Sequence, residues 1–84
     1  MIEKKNKILE IKYIAMQIIY KKYPEWKQIN MIRESITEYD IPSEYISAWD
    51  WIDNIRDQSN IMEAEINEMN DIDSVKNYKI EYNV

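Results

Sequence analysis

Asp50, Asp53 and Asp57 stand three and four residues apart, a spacing that places three carboxylates on one face of a helix. Such a row can bind a hard cation, exchange protons as an acid–base pair, or meet cationic groups on a partner. Calcium and magnesium prefer oxygen ligands, so weak cation binding is compatible with the residue types. Asp71-x-Asp73 faintly resembles the start of a calcium loop, but the glycine of that loop is missing and Val75 stands where a third oxygen ligand belongs. No structural metal and no cofactor is expected. Acid–base catalysis needs a pocket that separates the pKa values of two carboxyls, and acids on the outside of a slim helical bundle offer little prospect of one. Ser35, Ser47, Ser59 and Ser74 have no arrangement of His or Lys beside them that would activate a hydroxyl. The chain has no His, Cys or Gly at all. That removes the usual general base, thiolate chemistry, and the phosphate-cradling loops and nucleophile elbows that glycine builds. No catalytic residue is expected.

Ile46 and Ile61 continue almost the same line at either end of the three aspartates. Glu34, Glu38, Asp40 and Glu44 extend the negative surface upstream. One reading is a solubilising acidic surface with two incidental isoleucines. The other is a protein-binding face in which Ile46 and Ile61 anchor while Asp50, Asp53 and Asp57, with Glu38 and Glu44 as outer contacts, pair with Arg and Lys of a partner. In a variant of the second, the carboxylates occupy a groove that normally holds phosphates. The net charge of −5 argues against tight nucleic-acid binding by the chain itself. Charge is unevenly placed: residues 1–22 hold six lysines against Glu3 and Glu10, whereas residues 34–73 hold twelve acids against Arg56 alone. The acidic stretch is suited to a protein with a basic surface.

Four segments must position these side chains. With 84 residues and no disulfide, a single small core is all the chain can build. In the first helix Ile8, Ile11, Ala15 and Ile18 form one apolar stripe, and Tyr13, Met16 and Tyr20 a second, with Leu9, Ile14 and Ile19 filling much of the space between. A helix so apolar is expected to pack on two sides, against its own chain and against a second copy in a homodimer through helix one. Pro24 ends that helix and suits the first position of the next, with Glu25 favouring the positive end of its dipole. Ile29, Ile32, Ile36 and Tyr39, extended by Trp26, are expected to form the inner face of helix two, with Tyr23 and Trp26 covering the corner between helices. Asp40-Ile41-Pro42-Ser43 is the next break, and Ser43 is expected to cap a long third helix reaching about Met69. Its seam is Tyr45, Ala48, Ile52, Ile55, Ser59, Met62, Ile66 and Met69, a heptad pattern flanked by Trp49. Ser59 with Asn60 marks a place where the helix can loosen or bend. Trp51 lies at the edge of the seam and can anchor either the bundle or a partner. Beyond Asn70, Tyr78, Ile80, Tyr82 and Val84 alternate as in a strand, while Val75, Tyr78 and Tyr82 suit a helical turn. A hairpin-like addition, a strand paired across a dimer and disorder all remain open for this tail. The expected fold is all-α: a three-helix antiparallel bundle over residues 1–70 with one long helix, and a C-terminal tail over 71–84.

The blocks Tyr23-Pro24-Glu25-Trp26-Lys27-Gln28-Ile29-Asn30, Ala48-Trp49-Asp50-Trp51-Ile52 and Ser59-Asn60 resemble the short helical module near the C-terminus of many phage tail-associated proteins. That module often reads YP-x-W-[KR]-Q-x-N, then A-W-x-W-I-x-x-[VI]-R-x-x-S-N, then a Glu-rich helix. The resemblance covers roughly residues 10–69 and implies a phage or prophage source. It departs from the family in beginning almost at Met1, with no shaft, fibre repeat or head ahead of it. Two functions follow as expectations. The first is a detached module acting as a free, non-enzymatic counter-defence protein, in the manner of small acidic anti-CRISPR inhibitors that occlude a basic surface of a host nucleic-acid enzyme. The second is a tail-associated structural or assembly protein of a phage virion. No apolar run approaches the ~18 residues of a membrane span and no signal peptide is recognisable, so the host cytoplasm is the expected location.

Overall fold

The computed structural model of the chain describes residues 1–37 and 41–84, the side chains of 36 and 37 excepted. It is all-α, with helices α1 (Ile2–Lys22), α2 (Glu25–Thr37), α3 (Ser43–Glu68) and the short α4 (Ile72–Asn77). The described residues contain no strand. They form a rod of 52 × 18 × 18 Å, set by α3, whose 26 residues alone extend about 39 Å.

The core lies between α1 and α3, which run antiparallel. Lys4 Nζ donates to the Asn67 carbonyl at one end (2.9 Å), Lys12 pairs with Glu63 further along (3.4 Å), and Tyr23 meets Trp51 at the other end. From Ala48 to Ile66 the seam of α3 is the expected one: Ala48, Ile52, Ile55, Ser59, Met62 and Ile66 are all buried, and α3 continues unbroken through Ser59 and Asn60. Tyr45 and Met69, expected at the ends of the seam, are half-buried, and Met69 lies just past the helix. From α1, Ile11, Ala15 and Ile19 are buried, with Ile8 and Ile18 packed at their edges. One cluster gathers Ala15, Ile19, Ile52 and Ile55, and a second gathers Ile11, Met62, Ile66 and Val75. Ser59 belongs in this seam because its hydroxyl donates to Glu63 (3.0 Å), so the polar atom is satisfied without leaving the helix.

Residues 71–84 are part of the core. Asp71 caps α4 by accepting from the Ser74 amide (2.7 Å), and Val75, three residues into the helix, is fully buried. Past α4 the chain leaves the helix in an extended conformation at Tyr78, and Tyr78, Ile80 and Tyr82 pack on the core while Lys79, Glu81 and Asn83 are exposed. The alternation in the sequence is therefore real, but no strand partners it. Instead the Gln58 side-chain amide takes the place of a neighbouring backbone. Its Oε1 accepts from the Asn83 amide (2.7 Å) and its Nε2 donates to the Asn83 carbonyl (2.9 Å). Tyr82 packs on both core clusters and donates its hydroxyl to the Ile11 carbonyl (2.7 Å). The third position over the α1–α3 pair is thus filled at one end by α4 and the C-terminal segment.

Helix α2 departs from expectation. It begins at Glu25, with the Pro24 carbonyl accepting from the Lys27 and Gln28 amides (2.9 and 3.1 Å), so Pro24 stands just before the helix. Trp26, Ile29 and Ile32, expected inside, are exposed, and among the described side chains of this helix Met31 is the buried one. Ile36 and Tyr39, expected on the same face, lie outside the described side chains. The physical reason is that an apolar stripe reports a face, not what covers it. Among the described residues the close helix packing is α1 with α3 and α1 with α4, which leaves α2 touching the rest sparingly. Ser43 does not cap α3 either. Pro42 occupies the capping position, its carbonyl accepting from the Tyr45 and Ile46 amides, and Ser43 is already the first helical residue.

Ile52 is wholly shielded from solvent at the centre of this arrangement. Ile52→Ala is expected to destabilise the fold by about 2–5 kcal/mol through lost burial and a residual cavity. Chemical denaturation measures this, and a loss below about 0.5 kcal/mol, the scale of a surface substitution, would contradict the packing described.

Candidate functional site

The α1–α3 seam occupies one side of α3, so the opposite side faces solvent along the whole helix. Asp50, Asp53 and Asp57 lie there, exposed and diametrically opposed to Ile52 and Ile55. Ile46 (49% exposed) and Ile61 (58%) sit on the same line, about 22 Å apart along the helix axis. The structure therefore brings together the five residues expected to form one face. Glu44 is exposed but falls in the first turn of α3, around the helix towards the seam side, which separates it from that line. Glu38 and Asp40 lie outside the described residues. Glu34, in contrast, is engaged by α3: the Tyr45 hydroxyl donates to its carboxylate.

None of Asp50, Asp53 and Asp57 takes part in a hydrogen bond or ion pair among the described residues. On a helix packed along its far side, these three exposed carboxylates present a row of acceptors to solvent. Among the described residues no three acidic side chains converge in a way that would hold a metal ion. An open cleft of about 310 Å³ runs beside the α1–α3 seam, lined by Lys12, Ala15, Met16, Arg56, Asn60 and Glu63 among others. None of the three aspartates borders it. Its cations are partly spoken for, since Glu63 already takes Lys12 and the Ser59 hydroxyl.

The aromatic residues of the family-like blocks divide in a way their sequence does not reveal. Tyr23 meets Trp51, not Trp26, edge to face with centroids 5.6 Å apart. Lys22 lies over the Trp51 ring at 4.5 Å and Lys27 over the Tyr23 ring at 5.6 Å. This corner ties the α1–α2 junction to α3, with Trp51 half-buried in it. Trp49 also packs on the core. Trp26, expected to be structural, is 65% exposed and shares the outside of α2 with Ile29 and Ile32. This second candidate surface is visible in the sequence as a stripe whose periodicity alone predicts an interior face.

No family model, curated protein or solved structure matches this chain. No helix of the described residues is long and apolar enough to cross a membrane.

Three groups in the C-terminal segment have altered acidity. Burial, then the hydrogen bond that the Tyr78 hydroxyl donates to Glu65 (2.8 Å), pushes the phenol up from its ordinary 10.0 to about 12. Burial likewise raises Tyr82. Hydrogen bonds from the Ser74 amide and hydroxyl lower Asp71, as suits a helix cap. For Tyr78 the unfolded chain releases its proton first, so ionisation favours unfolding as pH rises from 10.0 towards about 12. The melting temperature should therefore fall more steeply across that window in the wild-type chain than in Tyr78→Phe. Identical slopes would show that the phenol is not held protonated by its contacts.

Proposed function

We propose that this chain is a non-enzymatic binding protein of phage or prophage origin. In this reading it acts in the host cytoplasm by covering a basic surface of a host nucleic-acid enzyme with the outer face of α3. The observation that carries the reading is the row of Asp50, Asp53 and Asp57, whose side chains have no ion-pair or hydrogen-bond partner among the described residues and are framed by the exposed Ile46 and Ile61. An acidic row along one helix face attracts a cationic groove at long range, while the flanking aliphatic side chains add contact area once docked. Such a protein competes with the phosphates the groove was built for, as small anti-CRISPR inhibitors do, and needs no affinity for nucleic acid itself. Its net charge of −5 fits that role. The resemblance to the phage tail-associated module supports the source, and the charge of α3 supports the mode of action.

A second reading, a tail-associated structural or assembly protein, is favoured by a different observation. Trp26, Ile29 and Ile32 stand exposed in or beside the block that carries the family resemblance. A helix face of this kind can dock on another virion component through apolar contact, with little dependence on salt.

Affinity capture of the tagged chain from phage-carrying host cells, followed by titration with each identified partner, separates the readings. Asp50→Lys with Asp53→Lys should abolish binding to a nucleic-acid enzyme and leave helicity and melting temperature nearly unchanged. Binding by that double variant at wild-type strength would remove the first reading. Trp26→Ala with Ile29→Ser should abolish capture of tail or baseplate proteins under the second reading. Retention of virion proteins by this variant would refute apolar docking through α2.

A further inference from the structure

Helix α1 has a second apolar line, well separated from the seam that faces α3. Ile2, Leu9, Tyr13, Met16 and Tyr20 follow a regular alternation of four and three residues once Asn6 is placed between Ile2 and Leu9. In heptad terms Asn6, Tyr13 and Tyr20 are a positions, and Ile2, Leu9 and Met16 are d positions. The centre of this line lies about 130° around the helix from Ile11, Ala15 and Ile19. Leu9 (55% exposed), Tyr13 (59%), Met16 (49%) and Tyr20 (45%) are left uncovered by the chain itself. Five turns of helix with an apolar seam on each side is more than one α3 partner can use.

The charges beside the outer seam specify its occupant. Glu3 and Glu10 flank it on one side at e positions, and Lys5 and Lys12 on the other at g positions. In a parallel pair of such helices, each g residue faces the e residue five positions later on the other strand, so Lys5 meets Glu10 across the interface, twice by symmetry. In an antiparallel pair, Lys flanks face Lys flanks and Glu flanks face Glu flanks, which is repulsive. Lys5 has no ion-pair partner among the described residues, and Glu10 has only a long contact with Lys7 (3.7 Å). Parallel, in-register pairing also places Asn6 opposite its own copy, where the two amides bond to each other; any shifted register sets an amide against an apolar side chain.

We propose that α1 pairs with α1 of a second copy of this chain, parallel and in register, through Ile2, Asn6, Leu9, Tyr13, Met16 and Tyr20. The two α3 helices then lie on the outside of the dimer, and each keeps its row of aspartates open to solvent. The dimer is therefore bivalent for whatever the acidic face binds, though the pairing does not depend on that face having a partner.

Sedimentation equilibrium of the full chain at about 0.1 mM, above the micromolar range expected for a small interface, tests the association. The expected mass is twice 10.3 kDa, and a monomeric mass overturns the proposal. Leu9→Lys with Met16→Lys should restore the monomer with unchanged helicity, because both side chains are already exposed. A dimer that survives this change places the interface elsewhere and also overturns it. Orientation is read with Asn6→Cys, a clean probe in a chain without cysteine. Parallel register brings the two sulfurs within disulfide reach, so oxidation should cross-link the dimer fully, whereas antiparallel helices hold them well beyond the roughly 7 Å limit. A dimer that does not cross-link through residue 6 refutes the parallel register. Lys5→Glu should weaken the dimer and Lys5→Glu with Glu10→Lys should restore it; failure of the restoration refutes the cross-strand charge pairing.

Discussion

Everything in this molecule depends on the antiparallel contact between α1 and α3. It supplies most of the buried aliphatic residues, aligns the two long helices, and provides the surface on which α4 and the last seven residues rest. Ala15 and Ser59 lie midway along it and border the same cleft. Their small side chains suit a close approach of the two helices between the larger Ile19–Ile52–Ile55 and Ile11–Met62–Ile66 groups. The contact is one-sided for both partners. Each helix is amphipathic enough to choose a face, and each consequently leaves another face uncommitted.

Those uncommitted faces are where a protein of this size has room for function. In a rod of 52 × 18 × 18 Å, helix surfaces make up most of what the described residues offer to a partner. The outside of α3 is acidic, the outside of α2 is aromatic and aliphatic, and the outer line of α1 is apolar with opposite charges on its two flanks. Residues 71–84 add none of this directly, but they hold α1 and α3 in register. Val75 closes one end of the core, Tyr82 bridges its two clusters, and Gln58 fastens the chain end through two backbone hydrogen bonds.

How much was legible in advance varied by element for physical reasons. The α3 seam could be read residue by residue because a heptad sustained from Ala48 to Ile66 has only one buried solution on a straight helix. The acidic face followed from it, since whatever is not seam on a paired helix is solvent face. Helix α2 differs from its pattern because Trp26, Ile29 and Ile32 form a good stripe, yet a stripe is buried only if another element is free to cover it. The competing claims of α4, Tyr78 and Tyr82 on the α1–α3 pair are not encoded near α2 at all. The tail could not be assigned because its alternation implied a strand, while the group that receives it is a glutamine side chain on a helix twenty-five residues away.

The sequence by itself determined the helical class, the breaks at Pro24 and Pro42, the buried side of α3 and the acidic row opposite it. All of these follow from local backbone preference and from periodicity along single helices. Tertiary structure alone decided which apolar stripes are covered, that Trp51 and not Trp26 pairs with Tyr23, and that the C-terminal segment belongs to the core. Those outcomes depend on competition among distant segments for one limited buried surface. Such competition is settled by packing in three dimensions, not by the pattern within any one segment.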